Sequence, residues 1–250
     1  MNKKIALITN VLDFVGPPAV EALLSDGYTV LAQDPAFQDA RKLEDYANRH
    51  PGTAPSGLQD PQELIDHAWA IKGTVDVVVS NDTFPAIHIP VEEAVLEDLY
   101  ATIENVLVRP FKLMKYAIPR LKKQGHGNVI LVTSCRTELP LPGGAIPDVA
   151  RAGANALVKS LSIELAPFGI PVNAIAPNYL YSEAYFPKAK FIDDPIGREY
   201  IRQVVPAARL GKPEEIGELV SYLANMKGSF HTGTIIKFAG GWPAAPKRPF

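Results

Sequence analysis

The chain has 250 residues, 47% hydrophobic and 21% charged, which is apolar material enough for one α/β domain and excludes a disordered chain. Its 25 Lys and Arg against 27 Asp and Glu leave a net charge of −2, so no broad basic surface for nucleic acid or an anionic membrane is expected. Cys135 is the one thiol, which excludes an intrachain disulfide and a cysteine metal cage and fits a reducing compartment, the cytoplasm; no membrane span or secretion signal is expected from the apolar runs.

Lys4-Ile5-Ala6-Leu7-Ile8-Thr9 is a short, partly β-branched run that predicts a first strand, followed by a turn and a helix over Pro17 to Asp26 that Gly27 closes. Tyr28 to Ala32 predicts the second strand, ending at Gln33-Asp34, with Asp34 as a helix cap. Asp60-Pro61-Gln62-Glu63 combines an N-cap, a first-turn Pro and a Glu at the third helical position, and so starts a helix. Val75 to Val79 is a buried strand, and Pro90 to about Tyr116 is helical territory. Asn128 to Thr133 is nearly all apolar, as a strand in a sheet covered on both faces must be. A helix from Arg151 to about Pro167, a strand over Pro171 to Ile175, a helix over Pro213 to Ala224 and a strand over Thr234 to Phe238 complete the series. This alternation predicts one doubly wound, Rossmann-like α/β domain across residues 1–250, with a parallel sheet of about seven strands. Ligands are expected beyond the C-terminal strand ends, which carry Thr9-Asn10, Asp34, Ser80-Asn81-Asp82, Ser134-Cys135 and Pro177-Asn178. Residues 179–205, rich in Tyr, Phe and Pro, break the rhythm and are expected to form a loop covering the site.

A dinucleotide-binding first turn uses three glycines to curve tightly, approach the pyrophosphate and pack a helix on the sheet. Between Thr9 and Gly16 only the last is kept; Asn10 holds the first place and Phe14 the second, so a benzyl group stands where a dinucleotide would lie. No NAD(P) or other cofactor is expected. His50, His67, His88, His126 and His231 lack ligand spacing, so no metal site is expected either. Cys135, with no positioned His beside it, is expected to be a small buried side chain.

Over nearly its whole length the chain resembles the short-chain dehydrogenase/reductases, through Ser80-Asn81-Asp82, Thr133-Ser134, the run from Arg209 to Ile216 (RLGKPEEI) and Ala239-Gly240-Gly241. Within them it is similar to the halohydrin dehalogenases. The residues carrying that likeness are Thr9-Asn10 with Phe14, Phe84, Arg109-Pro110-Phe111, Arg151-Ala152-Gly153, Pro177-Asn178-Tyr179-Leu180 and Tyr185-Phe186-Pro187. The resemblance implies a cofactor-independent lyase that interconverts vicinal haloalcohols with epoxides plus halide and opens epoxides with small anions. It also implies a catalytic Ser, a Tyr thirteen residues on and an Arg four further. Ser134 and Arg151 occupy two of these places, while the tyrosine's place holds Pro147, which has no proton to exchange. The family's helix Asn is displaced as well: Val106 is the register match and Asn105 lies one residue away. For a replacement proton acceptor the chain offers Asp148, three residues before Arg151 and favoured by helix geometry, or Tyr179, Tyr181 or Tyr185.

The implied substrate and halide pocket comprises Phe14, Asp82, Phe84, Pro147, Pro177, Asn178, Tyr179, Leu180, Tyr185 and Phe186. Expected partners are a small haloalcohol or epoxide, halide, and further copies of the chain in a dimer or tetramer, with the apolar tail from Trp242 to Phe250 reaching a neighbouring subunit. Two alternatives remain open: a dehalogenase-like binding module with lost or altered catalysis, and an NAD(P)-dependent reductase.

Overall fold

In the computed structural model, which describes residues 3–245, the apolar runs form β1 (Ile5–Ile8), β2 (Thr29–Gln33), β3 (Thr53–Ser56), β4 (Val77–Ser80), β5 (Asn128–Val132), β6 (Val172–Pro177) and β7 (Ile235–Phe238). They pair in parallel in the order β3-β2-β1-β4-β5-β6-β7. Between them lie α1 (Gly16–Ser25), α2 (Ala40–Arg49), α3 (Pro61–Lys72), α4 (Leu96–Ile103), α5 (Arg109–Gln124), α6 (Ala145–Leu165), α7 (Pro195–Val204) and α8 (Pro213–Ala224). Successive strand side chains alternate between faces. Ile5 and Leu7 therefore join a core with Leu64 and Ile65 of α3, Met114 of α5 and Val158 of α6. Ala6 and Ile8 join one with Val20 and Leu23 of α1 and Val220 of α8. Both faces of the sheet are covered, which is why its strands are apolar without alternation. The result is a single Rossmann-like α/β domain.

Local chemistry sets the element ends. Asp60 Oδ1 accepts the N–H groups of Gln62 and Glu63, each at 2.9 Å, and starts α3; Gly73, at φ +82°, ends it. Strand β3 has no counterpart among the predicted runs: it is short, contains Pro55 and lies at the sheet edge, where a missing N–H is tolerated. Helix α6 begins before Arg151, so Pro147 lies in its first turn. The expected covering loop is only partly a loop. Leu180 bridges to Gly211, a π turn spans Ala189–Asp193, and α7 fills much of the remainder, capped by Asp194 on the Ile196 N–H at 2.8 Å. The segment packs through Tyr179, Ile201, Val205 and Leu210 against Ala239 and Trp242. The expected reach of the tail concerns residues 246–250 in part, which lie outside the described residues.

The chain leaves β1 towards β2 and β3, then returns to place β4 on the other side of β1. This reversal opens a crevice at the C-terminal strand ends, the place where such sheets hold ligands.

Candidate active site

A cavity of about 130 Å³ lies beyond the ends of β4, β5 and β6. Its walls gather residues far apart in sequence: Phe14 from the β1–α1 turn, Phe84 after β4, Thr133, Ser134 and Arg136 after β5, and Pro147 and Arg151 from α6. Pro177, Asn178, Tyr179 and Leu180 come from the end of β6 and the turn after it, and Tyr185 and Phe186 from the covering segment. Of the implied pocket residues, all but Asp82 meet here. A larger space of about 710 Å³ adjoins it and shares His88, Arg136, Asn178, Tyr179, Tyr185 and Phe186.

Ser134 is held from two sides. Its Oγ donates to the Pro177 carbonyl at 3.1 Å and accepts from the Arg136 N–H at 3.2 Å, while Asn155 Nδ2 donates to the Ser134 carbonyl at 2.9 Å. Arg151 is 6% exposed. Its Nη1 donates to the carbonyls of Asp82 (3.2 Å) and Val132 (3.3 Å), and its Nη2 to Tyr185 Oη at 3.1 Å. The Tyr185 hydroxyl in turn donates to the Phe84 carbonyl at 2.9 Å and accepts from the Phe84 N–H at 3.3 Å. Phe14 buttresses that ring edge to face, with centroids 4.9 Å apart at 78°. Phe14 and Tyr179 both hold positive φ, +54° and +56°, a conformation aromatic residues seldom adopt without support.

For Phe14 the support is explicit. Its N–H binds Asp13 Oδ1 at 2.9 Å, and Asn81 Nδ2 binds the carbonyls of Asn10 and Asp13, each at 2.9 Å. Asn10 Nδ2 returns a bond to the Asn81 carbonyl at 2.8 Å. These residues do not fit a dinucleotide. Phe14 stands at the second glycine's place and lines the cavity, and the Asp34 carboxylate is engaged by the N–H groups of Leu12 (3.1 Å) and Ala36 (2.9 Å) rather than left for a ribose. Helix α1 begins Gly16-Pro17-Pro18, so two of the first N–H groups that would face a pyrophosphate do not exist. This last signal stands in the sequence itself, beside the glycine places.

Two expectations are corrected. Asp148, offered as a replacement proton acceptor beside Arg151, instead has its carboxylate bound by Arg136 Nε and is not part of the cavity wall. Arg151 turns inward to the strand-end carbonyls, whereas Arg136, on the turn after β5, lies over the start of α6. Asp82 does not line the cavity either. Its carboxylate accepts the Ser80 hydroxyl and faces a small recess that includes Arg109 and Asn10, and only its carbonyl reaches Arg151. Burial pushes the Asp82 carboxyl up to about 6, against the lowering effects of Ser80, Arg109 and Arg151.

The other tyrosines are committed elsewhere. Tyr179 Oη lies 3.5 Å from Tyr200 Oη, and burial pushes its phenol well above the usual range, with the Tyr200 contact adding to the rise. Tyr181 donates to Glu183 at 2.9 Å on the outside. Thr102, Val106 and His88 line the cavity without having been singled out for it. Val106 does so because a π turn, Glu104–Val108, joins α4 to α5; the extra residue turns Asn105 away, so that its Nδ2 donates to the Ala101 carbonyl at 2.8 Å. Partial burial, with Arg136 nearby, holds His88 below its usual range. Cys135 is buried, and that burial lifts its thiol to about 11. Among the described residues no cluster of His, Cys, Asp or Glu could hold a metal ion, and no helix is long and apolar enough to cross a membrane.

A family model described as an enoyl-(acyl carrier protein) reductase matches residues 16–243. The chain belongs to the short-chain dehydrogenase/reductase superfamily. Relatives in this superfamily include the human dehydrogenase/reductase SDR family member 4, 28% identical over 247 residues (96% of this chain, 88% of the relative). Nodulation protein G of Azospirillum brasilense is 30% identical over 253 residues, covering 96% and 98% of the two chains. Among solved structures, a halohydrin dehalogenase bound to ethyl (2S)-oxiran-2-ylacetate superposes with a TM-score of 0.95 at 34% identity, covering 99% of this chain and 100% of that one. A dehalogenation enzyme gives 0.92 at 33% identity, covering 96% and 98%.

Proposed function

We propose that the protein is a cofactor-independent carbon–halogen lyase that interconverts short vicinal haloalcohols with epoxides plus halide. The observation that carries this reading is the position of Phe14: the residue that replaces the second glycine of a dinucleotide-binding turn forms a wall of the cavity holding Ser134 and Arg151. A cavity of about 130 Å³ suits a few-carbon reacting unit and an anion, whereas pockets for larger ligands run to several hundred Å³. The likeness to two dehalogenase structures at 33% and 34% identity supports it.

In this reading Ser134 binds the substrate hydroxyl, and Arg151 supplies a fixed positive charge beside the reacting oxygen. The halide leaves into the turn from Pro177 to Leu180. There Asn178 Oδ1 is engaged by the Tyr179 N–H at 3.0 Å, which leaves the carboxamide N–H₂ as a donor group for an anion, alongside the edges of Phe14 and Phe186. The adjoining space shared through Tyr185 and Phe186 gives room for a substrate tail. Small anions such as azide, cyanide and nitrite take the halide's place in epoxide opening.

The test is halide release from a panel of short chloro- and bromo-alcohols without added NAD(P), with Ser134→Ala and Arg151→Ala beside the wild type. Release by the wild type that falls at least a hundredfold in both variants is expected; silence across the panel overturns the assignment. Pro147, on the cavity wall with no exchangeable proton, favours a second reading, a binding module with lost catalysis. Under it the wild type is silent and Pro147→Tyr gains halide release.

A further inference from the structure

We propose that Tyr185 takes the haloalcohol's hydroxyl proton, so that the phenol missing from α6 is supplied by the segment after β6. The inference rests on the lyase reading above and names its proton acceptor.

The geometry favours Tyr185 over every other candidate. Pro147 and Arg151 lie one turn apart on α6 and both line the cavity, so a phenol at 147 would approach Arg151. Tyr185 brings its oxygen to the same guanidinium from the opposite wall, 3.1 Å from Nη2. The competing groups are engaged elsewhere: Asp148 by Arg136, Tyr179 with Tyr200, and Tyr181 with Glu183 on the surface. Arg151 Nη2 and the Phe84 N–H both donate to Tyr185 Oη and suit that oxygen with or without its proton, whereas the phenol's own bond to the Phe84 carbonyl at 2.9 Å must open before the oxygen can accept the substrate's proton. The ring is held from behind by Phe14.

The step balances with these groups alone. The Tyr185 phenol first gives up its proton to water, leaving its bond to the Phe84 carbonyl; the substrate O–H bond then breaks and its proton passes to the phenolate. The alkoxide electron pair forms the new C–O bond at the adjacent carbon, and the C–halogen bond breaks with its pair leaving on halide. In the opening direction the Tyr185 phenol protonates the epoxide oxygen as the anion attacks carbon.

Tyr185→Phe removes one oxygen and keeps the ring against Phe14. Its kcat for halide release is expected to fall about a hundredfold or more, with KM within about threefold, the usual scale for a positioned general base. The double variant Pro147→Tyr/Tyr185→Phe returns a phenol to α6 and is expected to recover at least tenfold over Tyr185→Phe, which also shows that the single variant folds. Tyr181→Phe is expected to match the wild type. Wild-type activity retained within threefold in Tyr185→Phe overturns the proposal and leaves the lyase reading standing. Loss without recovery in the double variant makes Tyr185 a wall residue and overturns it too. A silent wild type removes the lyase reading, and this assignment with it.

Discussion

Asp82, buried in the recess beside the cavity, couples the stability of the fold to pH. Its carboxyl, ordinarily near 3.8, is raised to about 6 by burial, so the folded chain holds this proton more tightly than the unfolded chain does. The folded state then binds the extra proton between those two values, and its stability falls as pH rises through that window, by about 3 kcal/mol in total from this group. Asp82→Asn is expected to remove that slope and to be more stable than the wild type at pH 7 by about 1–3 kcal/mol, read from urea unfolding at pH 4, 5 and 7; parallel curves for the two proteins would refute the account. Gly16 is tied to the opposite wall of the crevice. A Cβ there would lie 2.4 Å from the Asn10 carbonyl, so Gly16→Ala is expected to cost about 1–3 kcal/mol and displace the turn that carries Phe14. An unchanged denaturation midpoint would refute this. At this scale the sequence was legible where spacing along one element decides: Pro147 and Arg151, one turn apart on α6, both line the cavity. Where a side chain chooses between partners on different elements, spacing alone misleads. Asp148 is three residues from Arg151, yet it meets Arg136 because the turn after β5 brings a second guanidinium to it.

Elements were recognised where their signals are local. The start of α3 needs only Asp60 and the N–H groups it caps, and Asp60→Ala is expected to cost about 1 kcal/mol, a fall in Tm of about 2–4 °C for a domain of this size. A Tm unchanged within about 0.5 °C, a quarter or less of that effect, would show the cap to be idle. Strand β3 was hidden because Thr53-Ala54-Pro55-Ser56 has neither length nor apolar character, and its place is fixed by pairing with β2. The covering segment has no helical signature in the sequence because its apolar groups follow no helical period before α7. They are ordered by packing on Trp242 and Ala239, residues that lie dozens of positions away. The π turn over 104–108 was foreshadowed by the one-residue offset between Asn105 and Val106, since an inserted residue is what such an offset means in a helix.

At the scale of the whole molecule, the parallel sheet of about seven strands and the ligand position at its C-terminal strand ends followed from the alternation, whereas the strand order is set by pairing that the sequence does not display. What the fold does with that crevice depends on contacts across it, Asn10 to Asn81 and Phe14 to Tyr185, which no single segment announces. Titration with NADH followed by its fluorescence is expected to show no saturable binding below millimolar concentration, and saturation at micromolar coenzyme would contradict the reading of the first turn. The Gly16-Pro17-Pro18 start of α1 bears on how reversible this is. Trimming Phe14 to glycine would vacate space but return none of the amide hydrogens that two pyrrolidine rings delete, and Asp34 would stay occupied with Leu12 and Ala36. Phe14, the two prolines and the engaged Asp34 are thus three separate obstacles to a coenzyme, and building a site for one is expected to take coordinated replacement of a whole stretch of chain.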